Sequence, residues 1–197
     1  GRERRRHAED LLGVHHHVGE PRARRQGQRP GGEQEQGQPF LLYVAFTAPH
    51  DPRTPPEDWR VDPATVSLPP NALPVHSFDN GDMDNRDENL ETWPREPAAI
   101  RQHIADYYGM IAHMDDRIGD ILGTLEARGL AGDTVVVYSA DHGIGLGQHG
   151  LMGKQSRYEH SIHVPLLMAG PGIAAGQRAP DLVWHGDTTA TLLELAG

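Results

Sequence analysis

Three short apolar runs and one long periodic stripe dominate the pattern along this chain. Thr134 to Ser139 (TVVVYS) is β-branched and almost wholly apolar, which suits a strand buried on both faces. Pro39 to Thr47 (PFLLYVAFT) repeats that pattern. Val164 to Ala169 is a third run, closed by the turn Gly170-Pro171-Gly172. A short fourth strand is expected over Asp181 to Trp184. Ala98 to Arg128 differs in kind. Ile100, Ile104, Tyr107, Tyr108, Ile111, Ile118, Ile121, Leu122 and Leu125 recur at helical spacing and form one broad apolar stripe. Gly129 ends that helix, and Asp187 caps another over Thr188 to Ala196, with Leu192, Leu193 and Leu195 facing the sheet. Strand, long loop, helix and strand then make a right-handed crossover unit, so the class is α/β.

The polar segments divide the chain further. Residues 1–38 are dense in Arg, Gly, Gln and Glu and carry almost no apolar periodicity, so disorder or an out-of-frame reading is expected there. His15, His16 and His17 are consecutive and cannot all face one point from a regular helix. Residues 39–197 carry the folded unit. Within them, Arg53 to Pro97 is rich in Pro, Asn, Asp and Gly and reads as a long ordered loop. His76, Asp79, Asp82, Arg86 and Arg95 are candidates there to touch an anionic ligand, and a solvated surface loop is the plainer reading.

Composition narrows the classes. With 197 residues the chain is long enough for a sizeable core, and a formal net charge of −10 argues against a nucleic-acid binder. No apolar run approaches the roughly 18 residues that span a bilayer. Cysteine is absent, which excludes disulfides and thiolate metal sites. Gly1 is followed by arginines with no apolar leader, a pattern that a mature or truncated chain shares. The compartment and the oligomeric state stay open.

Candidate chemistry gathers where the Thr134 run ends. Asp141-His142 follows it directly, then Gly143, Gly145, Gly147 and Gly150. Ligands of open α/β sheets bind beyond the carboxyl ends of strands. Asp141 and His142 are plausible ligands of a divalent cation, and the glycines let backbone approach an anion. Lys154 lies thirteen positions after Asp141.

Ser139-Ala140-Asp141-His142-Gly143, Leu146-Gly147-Gln148-His149-Gly150, Gly153-Lys154, Tyr158-Glu159-His160-Ser161 and Val164-Pro165-Leu166 closely resemble the sulfatase family of the alkaline phosphatase superfamily. The bacterial arylsulfatase and iduronate-sulfatase-like branch looks nearest, and the likeness runs from about Pro39 to the end. It implies a partial alkaline-phosphatase-like core, a mixed and mostly parallel sheet flanked by helices. It also implies metal-dependent hydrolysis of small-molecule or carbohydrate sulfate esters. By resemblance, Asp141 and His142 bind the metal, most simply Ca2+, while His50 of the Pro-His turn and Lys154 contact the sulfate and carry the catalysis. His149 is a further substrate or supporting contact. Asp51 is read as a turn residue. Glu159, His160 and His163 support the loop, and Tyr107 and Tyr108 pack.

The family's nucleophile is a formylglycine made within a Cys/Ser-x-Pro-Ser/Thr-Arg motif, and no such stretch occurs in this sequence. Asp115-Asp116 lies within the helical pattern and is not assigned the family's paired-aspartate role. The expectation is therefore the middle piece of a sulfatase, with little turnover by itself. Phosphonate monoester hydrolases and phosphodiesterases share the Asp-His-Gly and Gly-Lys pattern and form the close alternative. An anion-binding module without catalysis is the third reading. Many relatives are periplasmic or extracellular.

Overall fold

The computed structural model describes residues 39–79, 81 and 85–196. The expectations for residues 1–38, including His15 to His17, and for Asp82 lie outside them. Helix α1 (Pro97–Ala127) is the principal element. Proline at its first position loses no intrahelical hydrogen bond, and its fixed φ suits a helix start. Gly129, at φ 69°, turns the chain out. Its N–H donates to Glu126 O at 2.9 Å, and Leu130 N–H donates to Leu125 O at 3.1 Å, which satisfies carbonyls the helix leaves open.

The core lies between the first half of α1 and the glycine-rich loop, with less contribution from the strands than their sequence suggests. Ile100, Ile104 and Ala105 pack with Leu146 and Met152 of the loop and with Val66. Tyr107, Ile144, Val61 and Leu68 close around them. Each large aliphatic side chain buried there contributes about 1.5–3 kcal/mol. The loop folds back by Gly145 N–H to Gly153 O and Gly147 N–H to Leu151 O, both 2.8 Å, so it is a packed element. Tyr108 departs from the packing expectation and stands 53% exposed on the outer face of α1.

Strand β1 (Val136–Ser139) pairs antiparallel with β2 (Leu166–Ala169), in register Val136 opposite Ala169 and Ser139 opposite Leu166. The α/β class stands. The mostly parallel pairing expected for the sheet is not what this pair shows, and its strands are half-buried at most. β2 starts at Leu166 because Pro165 has no N–H to give a ladder. Between the strands lies the single turn α2 (Glu159–Ile162).

Three sequence expectations are corrected. Pro39 to Thr47 forms no strand, and Leu41 and Tyr43 stand about two-thirds exposed, at 65% and 66%. Apolar content suits a strand, but a ladder exists only where a second edge lies alongside. Asp181 to Trp184 likewise forms no strand. Helix α3 (His185–Leu195) begins three residues before Thr188, so Asp187 caps it from inside the first turn by accepting Trp184 N–H at 3.0 Å. Its Leu193 and Leu195 remain 70% and 50% exposed, facing no sheet among the described residues.

Candidate functional site

His50 sits in a tight turn, its N–H donating to Thr47 O at 2.9 Å. Its Nε2 lies 3.2 Å from Lys154 Nζ. An ammonium only donates, so Nε2 accepts and the ring hydrogen belongs on Nδ1. That nitrogen faces Asp51, 3.0 Å from its carbonyl and 3.1 Å from Oδ1. Asp51 pairs with Arg86, whose Nη1 donates to Asp87 Oδ1 at 2.9 Å. Asp87 Oδ2 returns to Lys154 Nζ at 3.8 Å. Hydrogen bonds thus link Lys154, His50, Asp51, Arg86 and Asp87 in a row, and the 3.8 Å ion pair of Asp87 with Lys154 brings its two ends together. Burial pushes the Asp51 carboxyl up. The Arg86 hydrogen bond, the His50 ring beside it and the Arg86 charge outweigh that and hold it below the usual carboxylate range.

Lys154 reaches this row from the loop after β1. Met152 beside it is wholly buried, and Glu88 accepts from Met152 N–H at 3.0 Å and Gly153 N–H at 2.9 Å. Asp141 and His142 stand at the start of the same loop, just past β1. His142 Nδ1 donates to Gly143 O at 2.9 Å, and its Nε2 lies 3.4 Å from Asp141 Oδ2, pairing with that carboxylate when protonated and presenting a lone pair when neutral. Two donors, one of them nitrogen, do not satisfy a calcium ion, which takes six to eight oxygens. Among the described residues no group of three or more His, Asp or Glu side chains could hold a metal ion.

His149 carries φ 56° and stacks on Tyr158, ring centroids 4.1 Å apart. Asn71 Nδ2 lies 3.1 Å from its Nε2, and its carbonyl accepts from His76 Nδ1 at 2.8 Å. His76 packs in turn on Phe78 at 4.6 Å. His76, Phe78 and Tyr158 of this wall line a cavity of about 550 Å³ together with Lys154, and His149 stacks behind Tyr158. His160 lies behind Tyr158, its Nε2 3.3 Å from Ser156 Oγ. Burial, then the charge of His149, pushes the His160 imidazole below its ordinary value. Glu159 and His163 pair with each other at 3.0 Å along the exposed face of α2.

Of the five residues singled out from sequence, His50 and Lys154 meet. Asp141 and His142 contact each other and Gly143, and His149 lies in the aromatic wall. Arg95 is buried in a pair with Glu88, Nη2 to Oε2 2.6 Å, and so does not face a ligand. Asp51, Asp87 and Glu88 are the members that sequence reasoning passed over. Acidic residues in a polar loop look solvated until the loop is seen packed against Lys154.

A family model described as sulfatase matches residues 31–197. The choline-sulfatase of Rhizobium meliloti (strain 1021) is 32% identical over 176 residues, covering 84% of this chain and 33% of that protein. Arylsulfatase K of Xenopus laevis is 34% identical over 179 residues, covering 83% and 33%. The chain thus spans about a third of the length of these curated relatives. A solved phosphonate monoester hydrolase from Silicibacter pomeroyi superposes with a TM-score of 0.57 at 26% identity, covering 71% of this chain and 30% of that one. A phosphonate monoester hydrolase of Agrobacterium radiobacter gives 0.56, also at 26%.

Proposed function

Because the chain belongs to the sulfatase family, we propose that it carries the anion-receiving part of a sulfuric ester hydrolase site, with His50 and Lys154 meeting the sulfate. The observation that carries this reading is the 3.2 Å contact between His50 Nε2 and Lys154 Nζ. No local pattern brings these two groups to one point. Lys154 also lines a cavity of about 550 Å³, large enough for the organic part of an ester.

The chemistry follows from the groups present. Sulfate ester oxygens repel a nucleophile, so a site must neutralise them and protonate the leaving alcohol. Lys154 Nζ already offers hydrogens at the cavity edge, and an ester oxygen replaces His50 Nε2 as their acceptor. Asp51 holds the imidazole through Nδ1–H, and His50 meets the same oxygen as an imidazolium, its Nε2–H donating once Lys154 has turned to the ester. Lys154 is the donor to the leaving oxygen. Tyr158, with His149 stacked on it, borders the organic group.

Asp141 and His142 are assigned as two ligands of a divalent cation, whose charge would further neutralise the ester. Two donors do not complete such a site. The formylglycine motif is absent from the sequence, so little turnover is expected from this chain.

Titration calorimetry with inorganic sulfate tests the reading. Binding in the millimolar range is expected, weakened about tenfold by Lys154→Ala, as for loss of one charged hydrogen bond. Binding that neither Lys154→Ala nor His50→Ala alters sinks it. A second reading, hydrolysis of phosphonate monoesters, is favoured by the two structural neighbours of that activity. Preferential binding of phenyl phenylphosphonate over 4-nitrophenyl sulfate would favour it.

A further inference from the structure

Resting on the reading of Lys154 as the group that meets the anion, we propose that Glu88 is a positioning residue that fixes Lys154 through its backbone. Glu88 lies in the loop that sequence patterning marks as polar and solvated, yet it is only 3% exposed. Its Oε1 accepts from Gly153 N–H at 2.9 Å, and its Oε2 accepts from Met152 N–H at 3.0 Å and Arg95 Nη2 at 2.6 Å. Both oxygens are occupied, so the carboxylate has one orientation. The two amides it binds are those immediately before Lys154.

The fit around these bonds is close. A Cβ on Gly153 would stand 2.8 Å from both Glu88 Oε1 and Gln155 Oε1 and 3.1 Å from Asp87 Cβ, so glycine lets the acidic loop lie flush against this backbone. Arg95 ties the other end of the segment, its Nε donating to Gly150 O at 3.1 Å. Met152 is pinned on its second side by the core. The backbone before Lys154 is therefore held by a buried carboxylate, a buried guanidinium and a buried thioether side chain. Asp87, next to Glu88, points to the side chains instead, accepting from Gln155 Nε2 at 2.9 Å and standing 3.8 Å from Lys154 Nζ. One acidic pair thus sets where the backbone of Lys154 begins and where its ammonium ends.

A carboxylate is needed because three donors converge on it. Glutamine has one acceptor oxygen in that position and turns its own N–H groups toward the remaining donors. Removing Glu88 alone strands a buried guanidinium, so the informative variant is Glu88→Gln with Arg95→Met. The full chain is titrated with inorganic sulfate, and amide hydrogen exchange is read at Met152, Gly153, Ile104 and Met110. Expected are faster exchange at Met152 and Gly153, unchanged protection at Ile104 and Met110, and sulfate affinity lowered about tenfold, as for one misplaced charged donor.

Sulfate binding kept at full strength while Met152 and Gly153 exchange faster overturns the proposal, because Glu88 then serves the fold alone. If Ile104 and Met110 also lose protection, Gly153→Ala decides, since it displaces the carboxylate with both charges retained. Weakened sulfate binding there supports the role, and unchanged binding overturns it. Insensitivity of the wild-type affinity to Lys154→Ala is a separate failure, that of the underlying reading of Lys154.

Discussion

His50 Nε2 accepts a hydrogen bond from Lys154 Nζ at 3.2 Å, although 104 residues separate them in the chain. Each belongs to a different loop, one after an apolar segment without a strand partner and one after β1. If both meet one anion, their contributions to its binding are not additive. A double-mutant cycle with His50→Ala and Lys154→Ala, read as sulfate affinity, is expected to give a coupling of about 1 kcal/mol. Strict additivity would mean that the two act on different ligands.

The buried Glu88–Arg95 pair makes a stability prediction. Arg95→Met leaves the Glu88 carboxylate buried without its cation, which costs about 3–5 kcal/mol. Adding Glu88→Gln removes the stranded charge and should recover part of that loss. Denaturant unfolding of the single and double variants measures both.

Gly147 has φ 95°, and a Cβ there would stand 2.7 Å from Ile100 Cγ2, inside the core. Gly147→Ala combines backbone strain with overpacking and should cost roughly 2–4 kcal/mol. Gly129→Ala is the control. Its φ of 69° is similar, but a Cβ there meets nothing within 4 Å, so backbone strain of about 1–2 kcal/mol is all that is expected. Equal losses in thermal unfolding would show that the loop does not press on α1.

His160 yields a pH dependence with a definite sign. Its folded-state value is depressed, by burial first and by the His149 charge second. The unfolded chain therefore takes up this proton more readily. The stability involved is fully present above about pH 6.5 and is lost as pH falls through the folded value. Unfolding free energy measured from pH 7.5 to 5 should fall less steeply in His160→Asn than in the wild type. Parallel slopes would show that His160 titrates normally.

Asp141 and His142 predict weak metal binding. With two donors in place of six or more, 1 mM Ca2+ should leave the thermal midpoint of the chain unchanged within about 1 °C. A clear upward shift that Asp141→Asn abolishes would reveal a fuller donor set around this pair.

Much of the scaffold was legible in the residues. The periodic stripe of Ile100, Ile104 and Ile111 marked α1 to within one residue at each end, because helix formation is read from local spacing. The apolar run before Asp141 became β1, and His50 and Lys154, both assigned to the sulfate by resemblance, lie 3.2 Å apart. Pro39 to Thr47 was misread because pairing depends on a neighbour that composition does not reveal. Asp51 was read only as a turn residue, and Asp87 was not singled out, for a related reason. Their side chains acquire meaning only from Arg86, His50 and Lys154, which other parts of the chain deliver.

The order of residues by itself determined the family, the long helix with its glycine stop, and the types of group able to meet an anion. Those properties rest on local spacing and on side-chain chemistry. Tertiary structure alone decided that the glycine-rich loop, with Leu146 and Met152, forms the core against α1. It also decided that Glu88 is buried under Lys154 and that Arg95 turns inward to pair with it. Burial changes what a charged residue does. A carboxylate in water is one solvated charge among many, whereas one enclosed by two amides and a guanidinium is held to a single geometry.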